Sequence, residues 1–153
     1  MEGPIRGDVF ECRPLDALRP SGHARGFGRI IAVVSSGVVQ PIAQLGISNA
    51  LRLAVAGWAK TLAAEVAKDG ITVNCIAAGR IATDRVADLD RSRAVREGIG
   101  IEEVQRQSRA SIPAARYGEP AEFAALVTFI ASARSSYITG SVIRVDGGMI
   151  RTL

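Results

Sequence analysis

Apolar and polar residues change their spacing several times along this chain, and each change predicts an element. Residues 1 to 27 hold no lasting period. Gly3, Gly7, Gly22 and Gly26 with Pro4, Pro14 and Pro20 predict a coil leader, with a short helical piece around Leu15–Arg19. Arg29-Ile30-Ile31-Ala32-Val33-Val34 is a continuous, largely β-branched run closed by Ser35-Ser36-Gly37. Being apolar on both faces, it predicts a buried parallel strand. From about 48 to 68 the steps become three and four: Leu51, Val55, Trp58, Leu62 and Val66 make one helical stripe. Ser48 stands where an N-cap would, and Gly70 where a helix stop would. Ala50, Ala54, Gly57, Ala63 and Ala67 leave the other faces thin enough for a second helix to approach. Ile71–Ile76 predicts the next strand, ending in Ala77-Ala78-Gly79. Residues 80 to 112 are polar, with two short helices expected at about 84–97 and 101–110, where open α/β folds place substrate loops. Pro120 suits a first helical turn, and Phe123, Leu126, Val127 and Ile130 form the expected buried face of a helix reaching about Ser132. Ser141–Val145 is a short strand, halted by Asp146-Gly147-Gly148, a structural turn near a subunit contact. The order β-α-β, two lid helices, α-β is an α/β arrangement, for which right-handed crossovers are expected.

Composition narrows this reading. A chain of 153 residues with 48% apolar and 22% charged residues suits one domain and excludes disorder, collagen and coiled coil. No apolar run is long enough to span a membrane, and Met1–Arg6 has no apolar stretch behind its charges. No signal peptide and no membrane partner are expected, and the cytoplasm is the default address. Cys12 and Cys75 are isolated thiols without metal spacing, which fits a reducing compartment, and no metal site is expected. The formal charge of +4 raises the question of nucleic acid. The arginines are scattered, and Arg91, Arg93 and Arg96 interleave with Asp88, Asp90 and Glu97. With so few aromatic residues for base stacking, a solvated arginine-rich surface is expected and no nucleic-acid partner.

Several segments together resemble the short-chain dehydrogenase/reductase family. Gly28-Arg29-Ile30-Ile31, Ser35-Ser36 and Ala54–Ala63 look like the family's second half, as does Gly70-Ile71-Thr72-Val73-Asn74-Cys75-Ile76-Ala77-Ala78-Gly79 with Ile81 and Thr83 after it. Arg116-Tyr117-Gly118-Glu119-Pro120-Ala121-Glu122 is similar to its R-x-G-x-P-x-E helix entry, and Tyr137-Ile138-Thr139-Gly140 through Val145-Asp146-Gly147-Gly148 to its closing segment. The likeness covers residues 28 to 150, and the 3-oxoacyl-(acyl carrier protein) reductase branch is the nearest in flavour. It implies the C-terminal half of a Rossmann-like, doubly wound parallel sheet over 28–153, about three strands with flanking helices, and residues 80–112 as a substrate lid. The N-terminal nucleotide-binding half is expected to be absent: no T-G-x-x-x-G-x-G or N-N-A-G segment is found, and Gly22-x-x-x-Gly26-x-Gly28 precedes a strand where a phosphate loop should follow one. A three-stranded remnant is expected to leave the first strand's edge unpaired. Residues 1–27 then read as a leader, or as the tail of the preceding helix.

The resemblance also assigns roles. The family's catalytic Ser, Tyr and Lys slots fall on Ser35, Ser48 and Arg52. Ser35 is either a turn-forming hydroxyl or a carbonyl-polarising one. Ser48 is either an N-cap or a proton donor, though a serine alcohol is a far weaker acid than a phenol and much shorter. Arg52 is either an ion-pair partner or a contact to the nicotinamide ribose, offered as a fork where lysine offers a point charge. Gly79, Ile81, Thr83 and Arg52 are the implied NAD(P) contacts; His23 lies in the leader and carries no role. The implied activity is hydride transfer between nicotinamide and a small carbonyl or hydroxyl substrate, of 3-oxoacyl type in this branch, with this chain alone inactive or impaired. Two alternatives stand beside it: a non-catalytic subunit that pairs with full-length relatives, and a truncated gene product. Homo- or hetero-oligomers are expected through the helix at 48–68 and the strand at 141–145.

Overall fold

The computed structural model describes residues 26–152. The expected helical piece at Leu15–Arg19, the Gly22 position, His23 and Cys12 lie outside the described residues. The elements run β1 (Gly28–Ser35), a 3-10 turn (Ser36–Val38), α1 (Gly46–Val66), β2 (Ile71–Ala78), α2 (Asp84–Glu97), α3 (Ile101–Ala110), α4 (Pro120–Ala131) and β3 (Val142–Val145). The three strands form one parallel sheet in the order β1-β2-β3. Among the described residues, β1 therefore pairs on one side only, as expected.

β2 is buried along Ile71–Ala77, because alternate side chains meet helices on opposite faces. Ile71, Val73, Cys75 and Ala77 join Ala32 and Val34 of β1 and Ala59, Leu62, Ala63 and Val66 of α1 in one core. Alternation turns Thr72, Asn74 and Ile76 to the other face, the side of α4 with its buried Ile130. This two-sided cover is the doubly wound arrangement. Burial pushes the Cys75 thiol above its usual range, so it packs as a small apolar group.

Three expectations need correction. β1 is not apolar-buried on both faces: Val33 is 52% exposed, since at that end of the edge strand only the α1 face is covered. The helical stripe is buried only in its second half. Leu62 and Val66 sit in the core, but Leu51 is 59% exposed and Trp58 lies at the surface although its neighbour Ala59 is buried, so these two point away from the side of α1 that the sheet covers. On α4, Ile130 alone is fully buried, and Phe123, Leu126 and Val127 are half-buried. The two short helices between β2 and α4 fall where expected. Gly98 closes α2 in the left-handed region at φ 65°, and Gly70 does the same after α1 at φ 71°.

β3 is short and is held by what precedes it. The buried Asn74 side chain donates to Ile138 O at 2.8 Å and accepts from Ser141 N–H at 3.1 Å. Val73 N–H donates to Thr139 Oγ1 at 3.1 Å, and Lys60 Nζ donates to Gly140 O at 3.0 Å. The Y-I-T-G segment is thus fastened to β2 before pairing begins. Among the described residues, no helix is long and apolar enough to cross a membrane.

Candidate active site at the carboxyl ends of the strands

In the sheet register Ser35 stands beside Ala78, and Ala78 beside Val145. At a strand spacing of about 4.8 Å, this row of strand ends spans roughly 10 Å. Open parallel sheets bind ligands at such ends, since the following loops and helix N-termini converge there. Ser35 Oγ accepts from Gly37 N–H at 3.2 Å, shaping the turn and leaving the hydroxyl proton to donate. Both readings of Ser35 are therefore compatible at once.

Ser48 is not the N-cap. The helix starts at Gly46 after Leu45, which offers no side-chain cap, and Ser48 sits inside the first turn. The cause is Asn49, whose side chain donates to Ile42 O at 2.9 Å and accepts from Ile42 N–H at 3.4 Å. That clamp, with Asn49 N–H on Leu45 O at 2.8 Å, begins the helix two residues early. Ser48 Oγ is free to accept from Arg52 Nε at 3.4 Å, one helical turn on. Arg52 also donates to Val33 O of β1 at 3.4 Å. Both bonds are long, and no acidic residue occurs between Ala17 and Ala64. The guanidinium keeps donors to spare on the side of the strand ends.

After β2, Gly79 passes so close to β3 that a Cβ there would lie 2.6 Å from Asp146 Cα. Glycine is required by that approach alone. Asp146 forms the expected structural turn, accepting from Gly148 N–H at 2.9 Å and Ile150 N–H at 3.1 Å. Ile81 is buried and bridges Gly118, while its own N–H has no partner among the described residues. Thr83 is exposed as the N-cap of α2, its hydroxyl donating to Ile81 O at 3.3 Å. A free N–H, a hydroxyl at a helix N-terminus and a cation without an ion-pair partner among the described residues are groups suited to a carboxamide and a phosphate or ribose. No cluster of metal-ligating side chains occurs among the described residues.

Beside these ends lies a cavity of about 100 Å³, lined by Arg80, Ile81, Arg116, Glu122, Asp146 and Gly147 among others. Its charges are committed. Arg116 grips Glu122 with two bonds of 2.7 Å, and Glu119 N–H gives Glu122 a third at 2.7 Å. Those donors, Arg116 first, bring the Glu122 carboxyl from 4.5 down to about 2. A lowered value means that its stabilising contribution is present above pH 4.5 and is lost as pH falls to about 2. Glu122→Gln is expected to flatten the acid limb of a melting-temperature profile in that window. An unchanged slope contradicts the assignment.

One buried side chain escaped the sequence reading. Asp90, expected in a solvated charge run, is fully buried and accepts from Arg80 at 2.5 Å and from Tyr117 at 2.6 Å. Burial, with the Asp90 bond, pushes the Tyr117 phenol above its usual range.

The comparisons agree with this geometry. The family model described as enoyl-(acyl carrier protein) reductase matches residues 13–150. The chain belongs to the short-chain dehydrogenase/reductase family. Among curated short-chain reductases, it is 35% identical over 127 residues to NADPH-dependent reductase BacG of Bacillus subtilis (strain 168), covering 83% of this chain and 49% of that protein. With 3-oxoacyl-[acyl-carrier-protein] reductase FabG of Vibrio cholerae the identity is 40% over 124 residues, covering 80% and 46%. The crystal structure of YwfH, an NADPH-dependent reductase involved in bacilysin biosynthesis, superposes with a TM-score of 0.81 at 32% identity, covering 86% of this chain and 50% of that one. The chain thus spans about half the length of the short-chain reductases it matches, and lies on the FabG-like branch.

Proposed function

We propose that this chain supplies the nicotinamide and substrate side of an NAD(P)-dependent short-chain oxidoreductase, acting on a small carbonyl or hydroxyl compound of 3-oxoacyl type. The observation that carries the reading is the row of strand ends, Ser35 beside Ala78 beside Val145, flanked by the Ser48–Arg52 turn of α1. Ile81 N–H and the Thr83 hydroxyl would hold the carboxamide and pyrophosphate, Gly79 would pass close to the ring, and Arg52 would reach the ribose. The bound nicotinamide supplies or accepts the hydride. Ser35, whose proton is not used in its own turn, orients the carbonyl oxygen. Ser48 occupies the proton donor's position with an alcohol, so proton delivery is weak, and the chain alone turns over slowly or not at all. Fluorescence titration with NADPH tests the reading: saturable enhancement is expected, and no binding at millimolar cofactor defeats it for the chain by itself.

A second reading has its own support. Ile47, Leu51 and Trp58 are exposed large apolar residues spaced to share one face of α1, the kind of stripe that marks an interaction surface. They favour a subunit that pairs through α1 and β3 with another copy or with a full-length relative, whether or not it turns over. Sedimentation of the chain with and without such a relative separates the two readings.

A further inference from the structure

Asp90 lies on the inner face of α2 with 0% of its surface exposed. A carboxylate there is costly unless donors surround it. Two do, and they come from other segments. Arg80, in the connection leaving β2, donates to Oδ1 at 2.5 Å, and Tyr117, ahead of α4, donates to Oδ2 at 2.6 Å. Main-chain bonds join those two segments: Gly118 N–H donates to Arg80 O at 2.9 Å and Ala82 N–H to Gly118 O at 2.8 Å. The Arg80 and Arg109 guanidinium groups lie over the Tyr117 ring at 5.8 and 5.9 Å, the latter reaching in from α3. Arg93 of α2 donates to Gln107 of α3 at 2.6 Å, so the two lid helices are tied to each other. A single buried carboxylate therefore fastens the α2–α3 hairpin to the segment that carries Ile81 and Thr83.

We propose that Asp90 is a positioning residue, a latch that holds the α2–α3 lid on the carboxyl end of β2 and thereby sets where Ile81 N–H and Thr83 stand toward the nicotinamide. The last step rests on the function proposed above; the latch itself does not. Removing the charge leaves the half-buried Arg80 facing the lid without its counter-ion, and the closed arrangement loses its main advantage over an open one. Removing the Tyr117 hydroxyl takes one donor away and keeps the charge pair.

Hydrogen exchange of the free chain tests the latch. Asp90→Asn is expected to speed exchange at the Ala82 and Gly118 amides by about tenfold or more, and Tyr117→Phe by less, while the Val73 and Cys75 amides of β2 stay slow. Should Asp90→Asn fail to fold, Tyr117→Phe carries the measurement. Unchanged exchange at Ala82 and Gly118, or uniform acceleration that includes β2, overturns the proposal. NADPH titration of the same proteins tests the positioning. Weaker binding in step with faster local exchange supports it, and equal binding despite faster exchange overturns it. If the unsubstituted chain binds no NADPH, the functional reading fails, and the exchange pattern alone decides the latch.

Discussion

Ser48→Tyr together with Arg52→Lys is expected to raise NADPH-dependent reduction of a small 3-oxoacyl ester by about 10²- to 10⁴-fold, the usual worth of a positioned general acid. Both the substituted and unsubstituted chains are to be supplied with the phosphate-binding half of a relative. Positions 48 and 52 lie one turn apart on α1, with Ser48 Oγ and Arg52 Nε 3.4 Å from each other. A phenol at 48, with an ordinary pKa of about 10, can be drawn toward neutrality by an ammonium at 52, whereas a serine alcohol cannot. Lysine matters as well as tyrosine, because the Arg52 fork is engaged on Val33 O and delivers its charge differently. Loss of NADPH absorbance under steady-state conditions checks the result. Brisk turnover by the unsubstituted chain, or no gain in the double variant, contradicts it.

Ile76→Ala is expected to cost about 2–5 kcal/mol, the range for large-to-small changes in a closed core. Ile76 is 0% exposed on the central strand, between Val33 of β1 and Ile143 of β3. Against a total stability on the order of 5–15 kcal/mol, that loss moves the urea midpoint substantially. Val33→Ala, on the adjacent strand in the same register but half open to solvent, is expected to cost about 0.5 kcal/mol or less. Equal costs for the two would mean that the sheet is not covered as described.

The elements that local rules govern were legible in the sequence. The two lid helices could be bounded because Gly98 and Gly100 punctuate a polar stretch, and the start of α4 because Pro120 can open a helix but not continue one. The family was legible because its motifs recur in order, and the Ser35, Ser48 and Arg52 slots follow by counting. What escaped depends on distant partners. The start of α1 is set by Asn49 reaching back to Ile42, which no capping rule contains. The exposure of Leu51 and Trp58 depends on which side of α1 the sheet covers, and beside Trp58 the buried residue is Ala59; periodicity reports a face without saying what it meets. In the sequence Asp90 is one charge in an Asp/Arg run. The signal that could have found it is its spacing: it stands four residues after Val86 and four before Ala94, on the helix's inner face. A polar residue at such a position is either an error of register or a buried hub, and here it is a hub.

The fastening of the Y-I-T-G segment by Asn74 has a consequence for the order of assembly. Its two bonds join residues 64 and 67 positions apart in the chain. Closure of so long a loop costs entropy before any contact repays it, so pairings of this kind form late. During synthesis, β1, α1 and β2 can collapse on one another as a local unit, yet Asn74 has no partner until the ribosome has released the stretch beyond Ile138. For that interval the nascent chain holds an unpartnered amide side chain on the sheet face that α4 has yet to cover, the period in which a chaperone has most to cover.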